Sequence, residues 1–229
     1  MRVHVAFTPA EAVSAPTGIV VDVLRATSTI VQALDAGYRR VLSCSEVDEA
    51  AALRAAGGGV LAGERTCVRI PGFDLGNSPR EFLEPRGETV ILTTTNGTRA
   101  LVAAAASCER VYAGSLLNLA AVAEAARRDG GDVTIVCAGV LGEFAMDDAY
   151  TAGRIAALLG GQQTDGAAAA IRLAESYATA QDGLAASQSA RNLLAADLAE
   201  DIAWCARESV AAAVPRLAGM RGTAAELVA

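Results

Sequence analysis

The sequence predicts an α/β protein, a sheet covered by helices whose C-terminal part is helical and packs on the sheet. Three observations predict it. Short β-branched runs alternate with Ala/Leu-rich stretches of helical length through the first two thirds of the chain. From about residue 165 the strand-like runs cease and the helical pattern continues. With 229 residues, 52% of them hydrophobic, the chain can bury one core and needs no second, so residues 1–229 read as a single domain.

The elements follow in order. "RVHVAF" (2–7) and "GIVVDVL" (18–24) read as strands, and "TSTIVQALDAG" (27–37) as a helix stopped by Gly37. "RRVLSC" (39–44) is a strand, and Ser45 caps the helix "SEVDEAAALRAAGG" (45–58), whose first turn is acidic. "GVLAGE" (59–64) is a strand that runs into "RTCVRIPGFDLGNSPREF" (65–82), a Gly/Pro/Asn/Asp-rich loop too long to be mere connection. The strand-helix unit then repeats three times: "TVILTTT" with "GTRALVAAAAS", "RVYAGS" with "NLAAVAEAARRDG", and "DVTIVCAG" with the helix around "DDAYTAGRIAALLGG". "DGAAAAIRLAESYATA" through "EDIAWCARESVAAAV" reads as helices only.

Composition removes whole classes of function. A net charge of −7 with no basic block argues against nucleic acid or an anionic membrane as partner. No lysine occurs, so all 19 basic residues are arginine, which excludes Schiff-base chemistry and the Walker A loop. His4, the one histidine, lies in the first strand and reads as structural. The five cysteines form no CxxC pair and point to a reducing compartment. No run reaches membrane-spanning length and the start has no signal-peptide pattern, so a cytoplasmic protein is expected.

Ligands of open α/β sheets gather beyond the carboxyl ends of strands. Those ends are polar here. Arg25, Arg65 and Arg99 follow three of them and are forked donors for phosphate, sulfonate or carboxylate. In "TTTNGTR" the residues Thr94, Thr95, Asn96 and Thr98, with the Gly97 amide, can cradle an oxyanion where a helix begins. The expected ligand is a small phosphorylated anion. Of the nearby acids, Asp22 and Glu64 end apolar strands and are the leading Mg²⁺ ligands, bases or nucleophiles, with Asp74 a further candidate. Asp147 and Asp148 open a helix and read as dipole-favoured first-turn residues. No cysteine has arginine at the sixth following position, and Asp22 lacks an Asp-x-Asp partner, so cysteine-phosphatase and haloacid-dehalogenase chemistry are excluded.

"DVLRATSTI" (22–30), "GER" (63–65), "GFDLGNSP" (72–79), "TTTNGTRAL" (93–101), "AGSLLN" (113–118) and "CAG" (137–139), in this order, resemble the 2-phosphosulfolactate phosphatase (ComB-like) family over nearly the whole chain. The resemblance implies a three-layer α/β/α fold around a central mixed or mostly parallel sheet. It also implies a Mg²⁺-dependent phosphatase that converts 2-phospho-3-sulfolactate to 3-sulfolactate and phosphate, a step of coenzyme M biosynthesis. On that basis Asp22, Glu64 and Asp74 would hold Mg²⁺, Asp22, Glu64 and Arg25 would be catalytic, and Arg65, Asn77, Thr95, Asn96, Gly97, Thr98 and Arg99 would bind the substrate.

Two departures stand out. Thr66 and Cys67 occupy positions where the resemblance leads to glycines, and "GEFAMDD" (142–148) places Glu143 where an arginine is expected, which weakens the case for sulfonate recognition. A phosphatase of the same mechanism acting on another small acid, and a non-catalytic anion-binding protein, are the alternatives. Ala-rich helices can bury a symmetric interface, and a homodimer is expected.

Overall fold

The computed structural model describes residues Met1–Ala229. Its strands are β1 (Arg2–Ala6), β2 (Ala15–Val21), β3 (Arg40–Cys44), β4 (Val60–Arg65), β5 (Val68–Arg69), β6 (Thr89–Thr93), β7 (Cys108–Gly114), β8 (Val133–Cys137), β9 (Gln162–Gln163), β10 (Arg216–Arg221) and β11 (Ala224–Val228). Its helices are α1 (Ala26–Asp35), α2 (Val47–Gly57), α3 (Gly97–Ser107), α4 (Leu119–Asp129), α5 (Met146–Leu159), α6 (Asp165–Glu175), α7 (Ala180–Ala185), α8 (Gln188–Ala195) and α9 (Ala199–Cys205). None is long and apolar enough to cross a membrane.

The strands join one mixed sheet in the order β5-β4-β6-β3-β11-β10-β7-β2-β8-β1-β9. β4, β6 and β3 run parallel, as do β7, β2, β8, β1 and β9. Strands β6 and β8 are buried at every residue, as apolar runs covered on both faces must be. Successive residues of β2 serve opposite layers: Ile19 and Val21 enter one apolar cluster and Val20 the other. Helices α1 and α3 cover one face through Ile30, Leu34, Leu101 and Ala104. The opposite face is covered by α4, α5 and α6 through Val122, Ile155 and Ile171, and by α2 through Ala50. The result is the expected three-layer α/β/α arrangement.

The C-terminal region corrects the sequence reading. Strands do not cease at 165, because β10 and β11 form an antiparallel hairpin inside the sheet. β11 pairs antiparallel with β3, and β10 meets β7 at Arg216 and Tyr112, so the hairpin joins the two parallel halves. "RLAGMRGTAAELVA" is rich in Ala, Gly and Arg, which have little intrinsic strand preference, and neighbouring strands impose the conformation. The helix predicted through Val214 ends at Cys205. Ser45 is no cap either: α2 begins after Glu46, and the Ser45 carbonyl accepts the Arg65 guanidinium instead.

Helices α7, α8 and α9 lie across the carboxyl end of the β2–β8 half, where Leu184, Leu193, Ile202 and Cys205 share a cluster with Val23 and Tyr150. Gly183 of α7 rests on the Tyr150 ring so closely that a Cβ there would stand 2.4 Å from ring carbons. This packing brings the helical region against the strand ends.

Candidate active site

Four strand ends and one helix enclose a cavity of about 230 Å³. β2 delivers Asp22, Leu24 and Arg25, and the Leu24–Arg25 peptide is cis. β4 delivers Glu64, Thr66 and Cys67, β6 delivers Thr94, Thr95 and Asn96, and the segment after β8 delivers Val140 and Leu141. Asn77 comes from the long loop, and Ser189 and Asn192, one turn apart on α8, complete the wall.

Asp22 sits beneath the start of two helices. Its Oδ1 accepts the Ala26 amide at 3.3 Å, in the first turn of α1. Its Oδ2 lies 3.0 Å from where a Gly97 Cβ would be, at the start of α3. Burial, with Asp147 and Glu64 close enough to repel, raises the Asp22 pKa from 3.8 to about 7 against the opposing Ala26 hydrogen bond. Glu64 Oε2 is tied to the Cys67 amide at 2.8 Å. The turn between them is unusual, since Thr66 and Cys67 both adopt left-handed backbone (φ 52° and 67°) that glycine takes without penalty. The expectation of glycines at these positions thus has a conformational basis.

Two carboxylates read as helix-start residues prove to be buried behind Asp22. Asp148 accepts the amides of Val23 (2.9 Å) and Gly139 (3.0 Å), which ties the end of β2 to the end of β8. Asp147 Oδ1 accepts the Ser189 hydroxyl at 3.0 Å, which fixes α8 over the cavity. Burial lifts the Asp147 pKa to about 6 and that of Asp148 well above its ordinary value, the latter reinforced by the charges of Asp147 and Asp22.

Of the predicted site residues, Asp22, Arg25, Glu64, Asn77, Thr95 and Asn96 line the cavity. The others do not. Asp74 is elsewhere: its Oδ2 accepts Arg54 (3.0 Å) and the Leu61 amide (2.9 Å) in a separate cleft, because the loop folds back along β4. It therefore cannot join Asp22 and Glu64 on one ion. Arg65 is spent on the carbonyls of Glu64 (2.9 Å) and Ser45 (2.5 Å). Thr98 shares a buried hydrogen bond of 2.8 Å with Ser43, beneath the sheet end. Arg99 is exposed on α3 and makes no hydrogen bond or ion pair. Gly97 is buried behind Asp22, where its lack of a side chain leaves that carboxylate its space.

Two wall residues carry atoms without partners. Thr94 Oγ1 and Asn77 Oδ1 are buried and make no hydrogen bond, although both residues are at least nine-tenths buried. Buried polar atoms left unpaired cost free energy, and two of the six in the chain belong to this cavity.

The sequence model described as 2-phosphosulpholactate phosphatase matches residues 4–219. The chain belongs to the 2-phosphosulfolactate phosphatase family. It is 39% identical over 232 residues to the Thermus thermophilus protein named "Probable 2-phosphosulfolactate phosphatase", covering 98% of each chain. It is 36% identical over 215 residues to the 2-phosphosulfolactate phosphatase of Methanothermobacter thermautotrophicus, covering 94% of this chain and 92% of that protein. A similarly named Thermotoga maritima protein is 38% identical over 219 residues, with 94% and 95% covered.

For a member of the 2-phosphosulfolactate phosphatase family, fit to Mg²⁺ turns on the donor set. No three His, Cys, Asp or Glu side chains converge into a ready-made cage. Mg²⁺ does not demand one, since it binds through one or two carboxylates and completes its octahedron with waters and substrate oxygens. Asp22 and Glu64 on the wall of one cavity meet that requirement.

Proposed function

We propose that the protein is a phosphomonoesterase that hydrolyses 2-phospho-3-sulfolactate to 3-sulfolactate and phosphate, the reaction type of coenzyme M biosynthesis, with Mg²⁺ as cofactor. One observation carries this reading: a single cavity sets two carboxylates, Asp22 and Glu64, beside two unpartnered polar side chains, Thr94 and Asn77. The names of relatives that cover the chain almost end to end support it.

Charge decides what else the cavity needs. Arg25, the only cationic side chain on its wall, is already paired with Asp201. The remaining charges are negative, and like charges 4 Å apart repel by about 4 kcal/mol at an effective dielectric constant of ~20. Mg²⁺ held by Asp22 and Glu64 would supply the positive charge that lets phosphoryl oxygens approach and would offset the charge they gain during P–O cleavage. The Thr94 hydroxyl is free to donate to the substrate anion, while Asn77 Oδ1 is an acceptor suited to a substrate hydroxyl or to water on the cation. The open N–H groups at the start of α3 face the same strand end.

A different small phosphorylated acid is the second reading. It is favoured by the retreat of Arg65 and Arg99 from the cavity, which leaves few cations for a substrate that carries phosphate, carboxylate and sulfonate together. Phosphate release from racemic 2-phospho-3-sulfolactate, phospholactate and an aryl phosphate, each with Mg²⁺ and with EDTA, separates the readings. Metal-dependent preference for the sulfonate supports the first, metal-dependent release without it supports the second, and no release from any substrate overturns both.

A further inference from the structure

Arg25 and Asp201 form an ion pair closed off from solvent, at 2.7 Å between Nη1 and Oδ2 with the side chains 3% and 0% exposed. They are 176 residues apart in sequence. The second Asp201 oxygen accepts the Ser78 hydroxyl at 2.6 Å. Asp201 thus uses both oxygens, one on a residue of the cavity wall and one on the residue next to Asn77, which also lines that wall. The Arg25 guanidinium is steadied from the other side by the Cys67 carbonyl at 3.2 Å, within the turn whose amide holds Glu64.

We propose that Asp201 is a positioning residue, which sets the Arg25 guanidinium and the Asn77 loop at their places on the cavity wall. This rests on the hydrolase reading above and extends it to α9, which contributes no side chain to the cavity itself. A guanidinium has more N–H groups than the two used by Asp201 and Cys67, so Arg25 can hold an anion while its plane is fixed from behind. An intact buried ion pair contributes little net stability, because desolvation offsets attraction, whereas removing one partner leaves the other charge buried and uncompensated. Carboxylate partners behind a binding group commonly orient it.

The test compares Asp201→Asn, Arg25→Gln and the double variant by Mg²⁺-dependent phosphate release, with melting curves to confirm folding. The expected result is a loss of roughly 10- to 100-fold in kcat/KM for Asp201→Asn, carried largely by KM. In the Arg25→Gln background the same substitution should add less than about twofold, since a residue acting through Arg25 has nothing left to position. Wild-type kinetics for Asp201→Asn, or losses that multiply fully in the double variant, overturn the proposal.

If Asp201→Asn does not fold, Ser78→Ala carries the test, with a several-fold rise in KM expected and unchanged KM counting against it. A second readout is independent of catalysis. Release of Arg25 loosens the turn at Cys67, so iodoacetamide should label Cys67 several-fold faster in Asp201→Asn, followed residue by residue by mass spectrometry. An unchanged labelling rate overturns the positioning role, while an inactive wild type with accelerated labelling overturns the hydrolase reading alone.

Discussion

Gly97 leaves the space that Asp22 occupies. A Cβ at Gly97 would stand 3.0 Å from Asp22 Oδ2, 2.8 Å from the Ala26 Cβ and 3.4 Å from Thr94 Oγ1. Gly97→Ala therefore has nowhere to put one methyl group without moving α3 away from α1 or Asp22 out of its seat. The expected cost is about 1–3 kcal/mol of stability, as for overpacked cores, together with a loss of metal-dependent phosphate release. Differential scanning calorimetry beside a phosphate assay measures both, and a variant with wild-type melting and turnover would show that the space is not required.

Asp22 and Asp74 should part company under mutation. Asp22→Asn removes a cavity carboxylate and is expected to abolish hydrolysis. Asp74→Asn weakens a half-exposed pair with Arg54, worth about 1 kcal/mol or less, and should leave kcat/KM within about twofold because Asp74 lies in another cleft. Loss of activity in Asp74→Asn without loss of structure would restore Asp74 to the metal site.

Substrate affinity should follow the cavity wall rather than the arginine count. Thr94→Val, which removes an unpartnered hydroxyl, is expected to raise KM by roughly 10- to 150-fold, the value of one hydrogen bond to a charged group. Arg99→Ala, exposed and without a partner, should leave KM unchanged. The reverse order in steady-state kinetics would place the anion on the α3 surface.

The metal-free protein should lose stability as pH rises. The folded-state pKa values of Asp22 and Asp147 are raised from 3.8 to about 7 and about 6. Between about pH 4 and 7 the folded chain keeps protons that the unfolded chain has released, so unfolding becomes easier with each step upward in pH. Melting temperatures in EDTA should fall across that window, and Asp22→Asn should make the fall shallower. A melting temperature that climbs from pH 5 to 7 in EDTA would contradict the burial of these carboxylates.

Much of this architecture is legible in the sequence, for reasons visible in individual segments. "IVV" in β2, "VIL" in β6 and "VTIVC" in β8 are apolar on both faces, so composition alone marks them as sheet interior, and Asp22 and the Thr94–Asn96 stretch stand directly beyond the ends of such runs. The hairpin β10–β11 is not legible, because Ala, Gly and Arg carry no strand signal and its pairing partners lie far away in the chain. Asp147 and Asp148 resemble ordinary first-turn acids, since local sequence does not show that the start of α5 is buried against the carboxyl ends of β2 and β8. Ser189, Asn192 and Asp201 reach the site through helix packing, and no periodicity announces which turn of a helix will meet a strand end. Arg65 shows the converse case: a residue at the right strand end can stay out of the cavity and serve the backbone.

The insertion of β10 and β11 between the two parallel halves also bears on how the chain reaches its native state. Until residues 216–228 arrive, β3 and β7 each present an unpaired flank, the kind of open strand edge through which chains associate with one another. Closing the sheet draws together segments from distant parts of the chain, a connectivity that slows folding. The nascent chain thus passes through an interval with two half-sheets and two sticky margins, and substitutions that weaken the hairpin should show first as aggregation during synthesis, with little change in the chemistry of whatever molecules do fold.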